Sequence, residues 1–119
     1  MPSPPSKWDA TVEKLFRMTV QRELEWTESP MVKRRVENIV GNAYETSAKD
    51  KSIAVYEYRY KHFINEEEWE WANEVSIEFV DGAGMMEWKF PQTGKEWDLI
   101  DAIRYQAARA DQFLEEFLG

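Results

Sequence analysis

Between residues 53 and 90, bulky apolar and charged side chains alternate with a spacing of two. The apolar runs are Ala54-Tyr56-Tyr58-Tyr60, Trp71-Val75-Ile77-Phe79 and Met86-Trp88-Phe90. Successive side chains of a strand point to opposite faces, so each run predicts one apolar face of a half-buried strand. The complementary positions carry Glu57, Arg59, Glu74, Glu78, Glu87 and Lys89, which predicts an outward ionic face. An antiparallel sheet with one covered side suits this pattern, and the start of the strand over 52–63, where Ile53 and Val55 oppose Ala54 and Tyr56, is expected to be covered on both sides.

Helical periodicity flanks this region. Trp8, Val12, Leu15, Phe16, Val20 and Leu24 form one stripe of a helix that starts near Ser6 or Asp9, with Ser29-Pro30 as its stop. Residues 30–41 read two ways. Ser29 as N-cap, Pro30 at the first helical position and Gly41 past the end suit a short helix or irregular link, while the valine and isoleucine content also suits a strand. Strands follow over 42–48, 52–63, 71–81 and 85–90. The turn at Asp81-Gly82-Ala83-Gly84 joins the last two, and Pro91 stops the final one. Thr93 and Glu96 make a capping box for one last helix running to Leu118. Its stripe is Ile100, Ile103, Ala107, Ala110, Leu114 and Phe117.

The expected fold is therefore α+β: a four-stranded antiparallel meander with N- and C-terminal helices packed on one face, a two-layer sandwich. A chain of 119 residues suits one domain, here 7–119, behind a proline-rich disordered tail at 1–6. That tail has neither a basic start nor an apolar run, so it does not read as a signal peptide. No stretch is apolar enough to span a bilayer. With no cysteine there are no disulfides, thiolate metal sites or thiol nucleophiles. A cytoplasmic location fits that composition.

Charge is unevenly distributed. Residues 1–50 hold eight basic and eight acidic side chains, whereas residues 51–119 hold seven basic and fifteen acidic. The whole net charge of −8 thus belongs to the sheet and the last helix. Such a surface repels nucleic acid and anionic membranes, so neither is expected as a partner, and it suits a basic protein.

Catalytic signals are sparse. His62 is the single histidine, and no Gly-x-Ser-x-Gly elbow accompanies it. An enzyme reading would combine His62 with Glu66, Asp81 or Asp98. Asp98 with Asp101, and Asp111 with Glu115, are one turn apart, but two carboxylates fall short of a hard-cation site. No metal or cofactor is expected. The Asp81 turn lacks Gly-Lys-Ser and precedes a strand, which excludes a phosphate loop. Lys33-Arg34-Arg35 is the only basic cluster, with Glu37 two positions after it.

The most unusual string is Glu66-Glu67-Glu68-Trp69-Glu70-Trp71. Four acids and two indoles in six positions suit a cationic partner. Trp69 shares the face of Trp71, so a buried position and an exposed one both stay open. The expected function is a non-enzymatic, inhibitor-, immunity- or adaptor-like domain that binds a protein, another copy of itself included. Its expected contact surface is Glu66, Glu67, Glu68, Trp69, Glu70, Glu74 and Glu78. The alternative is a small-molecule site in an aromatic pocket between helices and sheet.

Overall fold

The computed structural model describes residues 5–119. Residues 1–4, which hold most of the predicted tail, lie outside the described residues. Pro5 and Ser6 already belong to the first helix, α1 (Pro5–Val20). The elements after it are β1 (Thr27–Glu28), α2 (Pro30–Arg35), β2 (Ile39–Ala48), β3 (Lys51–Phe63), β4 (Trp69–Val80), β5 (Met86–Lys89), α3 (Glu96–Ala107) and α4 (Ala110–Leu118).

The fold is α+β, and its sheet is an antiparallel meander in the order β1-β2-β3-β4-β5. It has five strands where four were expected. The extra strand is the two-residue β1, too short to show any alternation, which pairs Thr27 with Glu45 and Glu28 with Tyr44. The short-helix reading of residues 30 onward holds: the Ser29 hydroxyl accepts from the Val32 N–H, and Pro30 takes the first helical position. That helix ends at Arg35, however, and Ile39 and Val40 enter β2. Gly41, at φ 74°, sits in the bulge between Val40 and Tyr44 instead of closing the helix.

Helix α1 ends earlier than Ser29-Pro30 predicts. Arg22 adopts a left-handed φ of 61°, and the Glu23 and Leu24 N–H groups fold back onto the Met18 carbonyl. The returning segment then delivers Leu24 and Trp26 to the interior. There the Trp26 indole N–H donates to Thr19 Oγ1 at 2.9 Å.

The terminal helices α1 and α3 share one face of the sheet, as expected. Val12, Leu15, Leu99, Ile100 and Ile103 meet Tyr44, Ile53, Val55, Val75, Ile77 and Phe90 there. The tyrosine row is on the other side. Tyr56 packs with Val32, Ala43, Ala54 and Val80 in a second, smaller cluster roofed by α2. Helix α2 thus covers part of the second face, at the start of β3 where Ala54 and Tyr56 are apolar opposite Ile53 and Val55. Cross-strand register explains it: Val55 faces Ile77 and Glu57 faces Val75, so the odd positions of β3 and β4 share the α1/α3 face.

Two acids expected to point outward are buried. Glu78, 1% exposed, receives a close Arg35 guanidinium from the end of α2 and the Tyr56 hydroxyl. Glu57, on the opposite face, accepts from Arg104 of α3 at 2.8 Å and from Asn73 at 2.6 Å. Each buried carboxylate thus binds one helix to one side of the sheet.

The last helical run is also not continuous. Thr93 and Glu96 do pair, with the Thr93 and Gly94 N–H groups donating to the Glu96 carboxylate. The run nevertheless breaks at Arg109, which takes φ 54°. Downstream, α4 holds no buried residue, so Phe113, Leu114, Phe117 and Leu118 are solvent-facing. Asp111 anchors its start by accepting from the Tyr105 hydroxyl at 2.6 Å and from Arg22 at 2.7 Å. The Tyr105 hydrogen bond first, and then that of Arg22, hold the Asp111 carboxyl below the usual aspartate range. A depressed folded-state value means that this contact stabilises the native state above the unfolded aspartate pKa and is lost as pH falls through the lowered value. In an NMR pH titration, Tyr105→Phe is expected to shift the Asp111 midpoint upward; an unmoved midpoint would remove the tether.

Candidate interaction surface

Strands β3 and β4 outrun their neighbours. On one side β2 begins at Ile39, opposite Tyr58, and the last bond across is from the Arg59 N–H to the Asn38 carbonyl. On the other, β5 stops at Lys89, opposite Glu78, and Phe90 N–H adds a bond to the Ile77 carbonyl. Past these points the two strands continue alone, pairing Arg59 with Asn73 through to Phe63 with Trp69. At about 3.3 Å per residue, the arm from Arg59 to Phe63 reaches roughly 17 Å beyond the sheet. Every residue from 59 to 71 is exposed.

The ribbon has two chemically different faces. On the α1/α3 side it carries Arg59, Lys61 and Phe63 on β3, with Trp69, Trp71 and Asn73 on β4. The indoles meet edge to face at 5.3 Å. Arg59 sits 4.6 Å over the Trp71 ring and Lys61 4.6 Å over Trp69, diagonal pairs across the ladder. Phe63 is 60% exposed, Trp69 43% and Trp71 45%. On the α2 side lie Tyr60 and His62, with Glu70 and Ala72 across from them.

A short loop closes the ribbon. The Asn65 side-chain carbonyl accepts from the Glu67 and Glu68 N–H groups, each at 2.9 Å, and Ile64 N–H donates to the Glu68 carbonyl. That Asx turn fixes the backbone and leaves the Glu66, Glu67 and Glu68 carboxylates in solvent.

The structure thus gathers Glu66, Glu67, Glu68, Trp69 and Glu70 at one exposed tip. Glu74 is half-buried further in, where it accepts a short hydrogen bond from Tyr58. Burial first, and then that bond, push the Tyr58 phenol well above its usual range. Burial first, and then the negative charge of Glu78, raise Tyr56. Glu78 is withdrawn from the predicted surface altogether, because Arg35 and Tyr56 enclose it. Arg59, Lys61, Phe63 and Trp71 join the surface instead. Sequence reading missed them because Trp71 has the parity of Val75 and Ile77. Only the ends of β2 and β5 show that no layer covers it.

Of the residues weighed for catalysis, His62 and Glu66 lie on the ribbon and its closing loop, while Asp81 and Asp98 lie elsewhere. His62 is on the ribbon, whereas Asp81 terminates β4 at its other end, roughly 36 Å along the strand from Glu70. Its carboxylate accepts from the Ala83 and Met85 N–H groups of the turn. No group of three or more potential ligands able to hold a metal occurs among the described residues. No helix among them is long and apolar enough to cross a membrane. Between α1, α3 and the sheet lies the buried apolar cluster around Val12, Leu15, Ile77 and Ile100. An open groove of about 990 Å³ lies among α1, α3 and α4, with Phe16, Trp26, Asp98, Asp101 and Tyr105 in its walls. No protein-family model, curated protein or solved structure matches the chain.

Proposed function

We propose that this chain is a non-catalytic protein-binding domain that presents the overhanging β3–β4 ribbon to another protein. The observation that supports it is the exposure of Phe63, Trp69 and Trp71 together on an uncovered two-stranded arm. Solvent-exposed indoles forgo a large burial free energy that a partner restores. Tryptophan and arginine dominate the binding energy of most protein interfaces, and both are here. The acidic loop at the tip and the excess of acids in the second half of the chain favour a basic partner, which electrostatic attraction steers to the ribbon.

The core lies elsewhere, so the ribbon is open to mutation without loss of the fold. Removing both indoles, Trp69→Ala with Trp71→Ala, is expected to weaken a partner isolated by affinity capture by about thirtyfold or more, equivalent to about 2 kcal/mol. Titration calorimetry with the purified partner measures the loss, and a thermal melt confirms that the variant is folded. Unchanged affinity in a folded variant would refute this assignment.

A further inference from the structure

The outer edge of β4 is unpaired beyond β5, and its free backbone groups can be assigned one by one. The Ile77 carbonyl accepts from Phe90, and the Val75 carbonyl accepts from the Gln92 side chain at 3.3 Å, so both point away from β3. The Arg59 N–H points the other way, to Asn38, which makes Arg59–Asn73 a pair without mutual hydrogen bonds. The alternation then sends the N–H and C=O groups of Trp69, Trp71 and Asn73 to the open edge. None of these groups has a partner among the described residues. Unpaired strand edges are templates for another strand.

Resting on the ribbon reading above, we infer that β4 binds its partner by antiparallel strand addition along Trp69–Asn73, and that the added strand is basic on one face. Side-chain chemistry chooses the occupant. On the α2 side, the edge presents Glu70 and Glu74. On the other side, it presents Trp69 and Trp71, backed by Arg59 and Lys61. An added strand is matched when its cations meet the two glutamates and its apolar residues meet the indoles. The reverse orientation sets cations against Arg59 and Lys61.

A second copy of this chain is a poor occupant. Two-fold pairing centred on Ala72 puts each Glu70 opposite the other copy's Glu74. Centring on Trp71 puts each Glu68 opposite Glu74. Like charges directly opposite are destabilising. The glutamates therefore guard the edge against self-pairing while leaving it open to a basic strand. The β3 edge is a weaker candidate, because only Lys61 and Phe63 turn complete N–H and C=O pairs outward there.

The test uses the full chain and short fluorescein-labelled peptides that alternate lysine and valine, read by fluorescence anisotropy. In the matched orientation valine lies opposite Trp69 and Trp71, so valine amides donate to the edge and lysine amides point away. N-methylation of the valine amides is expected to weaken binding by about tenfold or more, whereas N-methylation of the lysine amides changes it by less than about threefold. Glu70→Lys is expected to weaken the unmodified peptide about fivefold or more, and a glutamate–valine peptide is expected not to bind.

Failure of the lysine–valine peptide to bind, or equal sensitivity to the two methylation patterns, overturns strand addition. A concentration-dependent wild-type dimer that the peptide displaces overturns the choice of occupant. Failure to bind or equal methylation sensitivity, together with a partner still lost on Trp69→Ala/Trp71→Ala, would sink the edge and leave the ribbon face standing. The converse pattern, with peptide behaviour as expected but partner affinity indifferent to the indoles, would keep the edge and reject the face.

Discussion

Arg35→Met is expected to remove about 3–5 kcal/mol of unfolding free energy, the usual result of stranding a buried charge. The Glu78 carboxylate is 1% exposed, and its cation comes from the end of α2, 43 positions away in sequence. Arg35 also donates through Nε to the Gly84 carbonyl at 2.7 Å, so its loss frees a turn as well. Tyr56 and Ser76 remain near the carboxylate but carry no positive charge. Domains of this size are stable by only about 5–15 kcal/mol, so the variant would be close to unfolding. Urea denaturation followed by tryptophan fluorescence gives the shift in midpoint at constant slope. The double change Arg35→Met/Glu78→Leu is expected to recover most of the loss, because an apolar pair of similar volume replaces a desolvated ionic one. A single variant that loses less than about 1 kcal/mol would show that the pair is solvated and that α2 is not fastened through it.

The second large effect concerns the opposite face. Ile100→Ala is expected to cost about 2–5 kcal/mol, since Ile100 is fully buried where α3 crosses the sheet and the space it leaves cannot close fully. Phe117→Ala, a larger truncation in the same predicted stripe, is expected to change stability by less than about 0.5 kcal/mol, because Phe117 is 75% exposed on α4. Parallel urea titrations decide both. Comparable losses from the two would mean that α4 packs onto the domain.

That contrast shows how much periodicity can reveal. The positions of α1, α2 and the β3–β4 pair follow from patterns spanning a few residues, and all are present. The break at Arg109 has no glycine or proline to announce it. It follows from distant ties: Gln106 is held by the Trp26 N–H and the Leu24 carbonyl, and Asp111 by Arg22. The tyrosine row was assigned to the wrong side for a related reason. Glu57 marked its own face as the outward one, by the rule that charges seek water. Arg104, 47 positions on, supplies the counter-charge that lets this acid stay inside. Local sequence records the acid without its partner. For the interaction surface, the Glu66–Glu70 string was legible as composition, and its exposure came from the lengths of β2 and β5, which no local pattern states.

The two buried acids also bear on how faithfully the strands align. Glu57 and Glu78 lie on adjacent strands but on opposite sides of the sheet, and each meets an arginine from a different helix. Sliding β4 by one residue along β3 would invert every β4 side chain, bringing Glu78 under α3 and moving Val75 away from it. Glu78 would then be out of reach of Arg35. The misaligned chain would carry a desolvated, uncompensated charge, so this fold proofreads its own hairpin electrostatically.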